Sequence, residues 1–147
     1  MIIKQTHDIS LIKRIFCDPE IYARISDDGS PDSKDFNPVE PCDYVYYLTD
    51  DSETCLVYFH WKNSVTLEGH IQILKNHRDK AMEFGSLAKK WVWDNTEAQK
   101  IEVTIPVIYQ DVLKFIQKQG FKLEGLSKNS YLKNDKLHDQ VYLGLER

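Results

Sequence analysis

The stretch Val65-Thr66-Leu67-Glu68-Gly69-His70-Ile71-Gln72-Ile73-Leu74-Lys75-Asn76-His77-Arg78-Asp79-Lys80-Ala81-Met82-Glu83-Phe84 decides how this chain is read, because the period of its apolar residues changes partway along. Val65, Leu67, Ile71 and Ile73 alternate with Thr66, Glu68, His70 and Gln72, the period-2 pattern of a strand with one apolar face. From Asp79 the spacing becomes helical, carried by Ala81, Phe84, Ala88, Trp91 and Val92 as far as Asn95. Lys89 and Lys90 fall toward the end of that helix, where its dipole favours cations. A strand is expected to run through a short polar loop into a long helix.

Working outward, Tyr44–Thr49 and Cys55–Trp61 are aromatic and β-branched segments separated by the turn Asp50-Asp51-Ser52. With Asn63-Ser64 as the next turn, they and Val65–Leu74 predict an antiparallel meander with one apolar face. Upstream, Met1–Thr6 reads as a short strand. Asp8 caps a helix through Ile9, Ile12, Ile15 and Phe16, and Asp18-Pro19 ends it and opens another around Ile21–Ile25. Ser26–Cys42 is a long loop with turn chemistry at Asp27-Asp28-Gly29-Ser30, and its Asp27, Asp28 and Asp35 could receive a cation. Downstream come a strand over Lys100–Val107, a helix over Gln110–Gln119 stopped by Gly120, and a hairpin of Phe121–Leu132 and His138–Leu145 around Asn134-Asp135-Lys136. The expected order is β, α, α, three strands, α, β, α, two strands. That is an α/β arrangement with a mixed sheet, read as a single domain over residues 1–147.

Composition bounds the function. The chain has 147 residues with 41% hydrophobic and 29% charged residues, which excludes intrinsic disorder and supports a core without staples. Net charge is −4 and the pI about 5.7. Because the cations are dispersed rather than clustered, nucleic-acid binding is not expected. No apolar run is long enough for a membrane span, and Met1-Ile2-Ile3-Lys4 is too short for a signal peptide. Cys17, Cys42 and Cys55 are odd in number and widely spaced, which argues against a zinc site or disulfide framework. A cytoplasmic setting with no metal is the expectation.

The second half of the chain resembles the GNAT superfamily of acyl-coenzyme-A-dependent N-acyltransferases. The likeness rests on Glu68–Leu74 running into Lys75–Lys80, on Ile105-Pro106 late in the Lys100–Pro106 strand, and on Gly120-Phe121 with Leu123-Glu124-Gly125. The closing stretch Asn134-Asp135-Lys136, Asp139 and Gly144-Leu145-Glu146-Arg147 completes it. The resemblance implies a mixed, mostly antiparallel sheet of about seven strands flanked by about four helices. It also implies acetyl transfer from acetyl-CoA, as co-substrate, to an amine of a protein or small molecule.

In that superfamily the fourth strand and the following loop bind the cofactor, which assigns Gln72, Ile73 and Leu74, then Arg78, Asp79, Lys80, Ala81, Met82 and Glu83, to acetyl-CoA. Backbone N–H groups at a helix start, with the dipole behind them, suit a pyrophosphate. Arg78 matches the signature's first position, whereas Ala81 and Glu83 stand where small residues, the first a glycine, are usual. A carboxylate at Glu83 facing the phosphates would oppose binding by roughly 1–2 kcal/mol. Glu68 and His70 share one strand face and are the candidate general bases. Relatives carry a tyrosine acid where Ile116 stands, so Tyr109 and Tyr131 are the possible substitutes as proton donor to the thiolate, Tyr109 standing where many relatives have asparagine. The altered loop, the compact length and the Asp27–Ser30 turn also resemble GNAT-like proteins of tailed bacteriophages. That implies an alternative in which the chain transfers nothing and binds a protein partner in virion assembly or host takeover.

Overall fold

The computed structural model describes residues Met1–Arg147. Seven strands form one sheet in the order β1-β2-β3-β4-β5-β7-β6. They are β1 (Ile3–Gln5), β2 (Val45–Asp50), β3 (Cys55–Trp61), β4 (Thr66–Ile73), β5 (Lys100–Pro106), β6 (Lys122–Lys133) and β7 (Lys136–Glu146). Four α-helices accompany them: α1 (Ile9–Phe16), α2 (Pro19–Ile25), α3 (Ala81–Asn95) and α4 (Gln110–Lys118). Neighbouring strands are antiparallel except β4 and β5, which are parallel. The chain must cross over between those two, and α3 is that crossover. No helix is long and apolar enough to cross a membrane.

Local chemistry sets the element ends. The Asp8 carboxylate accepts from the Leu11 N–H at 3.2 Å, and Asp18 caps α2 from just before Pro19, each satisfying a helix-start donor that has no partner within the helix. Gly120 follows α4 with φ of 96°, a left-handed conformation that costs a residue with Cβ. Asn134 and Asp135 both have positive φ between the paired Lys133 and Lys136, so they form the two-residue turn that matches strand twist.

The meander was expected to bury one face; it buries two. Leu48, Val57, Phe59 and Leu67 pack with Ile101, Val103 and Ile105 against Phe84, Ala88 and Val92 of α3 and Ile116 of α4. The alternate residues Val45, Tyr47 and Leu56 pack against Leu11, Ile12, Ile15 and Phe16 of α1 and Ile21 of α2. Successive strand side chains point to opposite faces, so each face has its own core and helix pair. Trp91 and Trp93 flank the larger core rather than entering it; Trp91 lies against Tyr46 and Trp93 under the Arg147 guanidinium.

The long loop is bound to the far end of the chain. Asp27 accepts from the Gly29 N–H and the Ser30 hydroxyl within its own turn. Asp28 accepts from the N–H groups of Asn134 and Asp135 at 2.9 and 2.8 Å, and those bonds hold its carboxyl below the ordinary range. Both carboxylates are exposed and serve as acceptors that shape these turns. Lys133 donates to the carbonyls of Ala23 and Ser26, which completes the tie.

Candidate active site

The two parallel strands pair only briefly. Thr66, Leu67 and Glu68 face Lys100, Ile101 and Glu102, and beyond that point the strands part. β4 continues alongside β3 as far as Ile73↔Cys55, and β5 continues alongside β7 as far as Pro106↔Gln140. A cleft of about 500 Å³ opens between them through the sheet. Ile21, Arg24 and Ile25 of α2 bound it on one face, and Val112, Phe115 and Ile116 of α4 on the other. The first residue past the pairing is Gly69, where a Cβ would sit 2.9 Å from a Phe59 ring carbon. A side chain there would push that ring away from β4. The edge of β4 that faces the cleft carries backbone N–H and C=O groups without a strand partner, a ready template for an extended, amide-bearing ligand.

At the apex of the cleft stand the charged groups. The Glu68 carboxylate lies 3.2 Å from His70 Nε2 through one oxygen; the other lies 4.0 Å from His60 Nε2 and 3.6 Å from Lys62 Nζ. Lys62 also reaches Glu102 at 3.0 Å. The His70 hydrogen bond holds the Glu68 carboxyl below its ordinary range, against the opposing effect of burial. Burial lowers His60. The Tyr58 ring stacks on His70 at 4.5 Å and fixes its plane. Glu68 is therefore a charged, hydrogen-bonded carboxylate at a partly open position, able to accept a proton directly or through His70.

Tyr109 lines the cleft, and its hydroxyl is 3.4 Å from that of Tyr131. Tyr131 donates to the Ser26 carbonyl at 2.8 Å, and burial raises its phenol above the ordinary range. Arg24 stands over the Tyr109 ring and pairs with Asp111 at 2.7 Å. Ile116 is buried and offers no proton. Tyr109 thus brings a phenol to the cleft lining, and Tyr131 stands beside it.

The segment after β4 is not an open loop. Lys75–Lys80 is wound into a 3₁₀-helix that leads directly into α3, so the His77 and Ala81 N–H groups bond to the Leu74 and Arg78 carbonyls and are not free for phosphate. Arg78 and Ala81 line the cleft, as do Gln72 and Ile73. Gln72 is buried, yet its Oε1 has no partner, an acceptor facing a space that a donor could fill. The remaining assigned residues turn elsewhere. Lys80 reaches Asp50 at 3.4 Å and Thr54 at 3.2 Å, and the Leu74 side chain packs with the α1–α2 core. Asp79 is exposed, and the Met82 carbonyl accepts from Gln119. The Glu83 carboxylate lies 3.3 Å from the Met1 ammonium and does not line the cleft, so the repulsion that a carboxylate facing the phosphates would exert has no such geometry here.

Sequence reasoning missed His60, Lys62 and Glu102 at the apex and Arg24 and Asp111 at the mouth. The Asn63-Ser64 turn was the available signal for His60, because a tight turn there brings it opposite Glu68.

A seven-stranded sheet parted at its parallel pair, with a helix pair on each face, is the GNAT fold. Spermidine N-acetyltransferase from Vibrio cholerae, solved in complex with CoA and spermine, is similar with TM-score 0.77 and 13% identity, covering 99% of this chain and 94% of that one. The Streptococcus mutans protein smu.2055 is similar with TM-score 0.75 and 12% identity over 99% of both chains. A GNAT-family acetyltransferase from Bacillus anthracis follows with TM-score 0.60 and 16% identity, covering 70% of this chain and 66% of that one. No family model matches the sequence, and no curated protein matches it.

Proposed function

We propose that this chain is an N-acetyltransferase that moves an acetyl group from acetyl-CoA to an amine of a protein or small molecule. The observation that carries the reading is the parting of β4 and β5 just beyond Glu68↔Glu102, which sets a candidate proton acceptor at the apex of a through-sheet cleft. The pantetheine amides fit the unpaired edge of β4, a donor among them would satisfy Gln72 Oε1, and Arg78 would meet phosphate. The amine enters from the α2 face, loses its proton to Glu68 directly or by way of His70, and attacks the thioester carbonyl. The C–S bond then breaks, and the departing thiolate takes a proton from Tyr109. The spermine in the Vibrio cholerae complex supports an amine as acceptor. Three free cysteines support a reducing, cytoplasmic setting.

The test is titration with acetyl-CoA by calorimetry and thermal melting. At ~100 times its dissociation constant the ligand adds about 2.7 kcal/mol, several degrees of melting temperature for a chain of this size. Absence of both heat and shift at millimolar acetyl-CoA overturns the reading. The buried Ile116 and the Arg24-covered Tyr109 favour the second reading, a GNAT-shaped protein-binding module such as phages encode. That reading gains if no ligand binds.

A further inference from the structure

We propose that His60, Glu68 and His70 form a binding site for a divalent transition-metal ion of the zinc class, and that the bound ion blocks the proton acceptor of the transfer site. The second half rests on the reading above; the first stands on the geometry alone.

The register of two strands makes the site. His60 on β3 lies directly opposite Glu68 on β4, and His70 follows two residues along on the same face. Cross-strand and i, i+2 neighbours both hold their Cβ atoms within reach of one small ion. One nitrogen from each imidazole and one carboxylate oxygen lie within 4.8 Å of one another. On a tetrahedral zinc with bonds of about 2.0–2.2 Å, donors sit roughly 3.3–3.5 Å apart. His70 Nε2 lies 3.2 Å from one Glu68 oxygen, which meets that, and His60 Nε2 lies 4.0 Å from the other, so the carboxylate and the His60 ring must turn for a single oxygen and both nitrogens to share the ion.

The donor set is chemically selective. Two imidazoles and one carboxylate suit zinc, cobalt or nickel better than calcium or magnesium, and three protein ligands leave a fourth position open. The side chains of His60, His70 and Glu68 are 35%, 31% and 17% exposed, so an ion can enter. Tyr58 stacks on His70, and the His60 and His70 rings stack 5.7 Å apart at 17°, so His60 is the ring that must turn to bring its in-plane lone pair to the ion. Lys62 opposes a cation at 3.6 Å from Glu68, but it has Glu102 as a second partner at 3.0 Å and can stay with that carboxylate. Glu68 has an imidazole on each side, His70 3.2 Å from one oxygen and His60 4.0 Å from the other, which it shares with Lys62. An ion at this point occupies the lone pairs that would otherwise accept the proton of the amine.

The test titrates the full chain, without acetyl-CoA, with Co²⁺ followed by visible absorption and with Zn²⁺ followed by calorimetry. One ion per chain is expected. His60→Ala and, separately, His70→Asn should each weaken binding at least about tenfold. In transfer assays Zn²⁺ should slow the unaltered chain, and a chelator should restore it. Whatever transfer His60→Ala retains should no longer respond to Zn²⁺ or to the chelator. Absence of metal binding, or binding untouched by both substitutions, overturns the proposal. Metal binding by a chain that takes up no acetyl-CoA supports the site and overturns the transferase reading, so the two fail separately.

Discussion

Glu68 faces Glu102 across the last paired position of the two parallel strands, and the Lys62 ammonium lies between the two carboxylates. Like charges directly opposite destabilise a sheet, so this position holds together through the cation. The ladder ends at the same place, and the group proposed to take the proton stands at the end of the ladder. The opening of the sheet and the chemistry of the site thus share one residue pair.

If Glu68 takes the proton, Glu68→Gln lowers turnover by roughly 10²–10⁴ while leaving acetyl-CoA affinity nearly unchanged. Steady-state rates beside calorimetric affinities separate the two quantities. A loss confined to His70→Gln would move the role to the imidazole.

The unpartnered Gln72 Oε1 predicts effects of opposite sign. Replacing a buried, unsatisfied amide by an apolar side chain of similar size is neutral or stabilising. Gln72→Leu should therefore melt at or above the temperature of the unaltered chain, yet bind acetyl-CoA about tenfold more weakly because a donor loses its acceptor. Melting curves recorded with and without acetyl-CoA read both effects.

Charge at the entrance should discriminate between Arg78 and Glu83. Arg78 lines the cleft, whereas Glu83 is paired with the amino terminus. Arg78→Ala should weaken acetyl-CoA about tenfold and flatten the salt dependence of binding. Glu83→Gln should change affinity by less than about threefold. Titrations at low and high salt check both.

Asp50 is the acid-sensitive point of the fold. Its side chain is fully buried. Burial alone would raise its carboxyl, but donors from Cys55, Thr54 and Lys80 outweigh it and hold the carboxyl below the ordinary value. A group lowered on folding contributes stability fully above its unfolded pKa of about 3.9, and that contribution is lost as pH falls through the lowered folded value. Asp50→Asn should cost about 2–3 kcal/mol at neutral pH. Urea unfolding from neutral pH to acid should show that gap closing only below pH ~4.

Much of the fold was legible because each element carries its own local pattern. Asp8, Asp18, Gly120 and the Asn134-Asp135 turn act at the positions their chemistry requires. The second core was not legible, because Tyr47 and Leu56 interrupt no alternation and their burial depends on α1 and α2 folding back over them. Glu68 and His70 were candidates through resemblance, and Tyr109 only as a substitute for the tyrosine that Ile116 replaces; His70 and Tyr109 line the cleft. His60 was hidden, since it joins the site through the register of a neighbouring strand. The direction of Glu83 was hidden for a related reason: its carboxylate contacts the Met1 ammonium, 82 residues away in sequence, and no local pattern carries that contact.

The bond from Asp28 to the Asn134–Asp135 turn spans 106 and 107 residues, which bears on the order in which the molecule assembles. Contacts so distant in sequence form late, because the entropy of closing a long loop must be overcome before they contribute anything. While the chain emerges from the ribosome, α1, α2 and the β2–β4 meander can associate long before the last hairpin exists. The wall that joins the Ser26–Cys42 loop to β6 and β7 is therefore the final part to close. A nascent or truncated chain lacking that hairpin would leave the Ser26–Cys42 loop untied and the far edge of β5 unpaired, an open template for other unfinished chains.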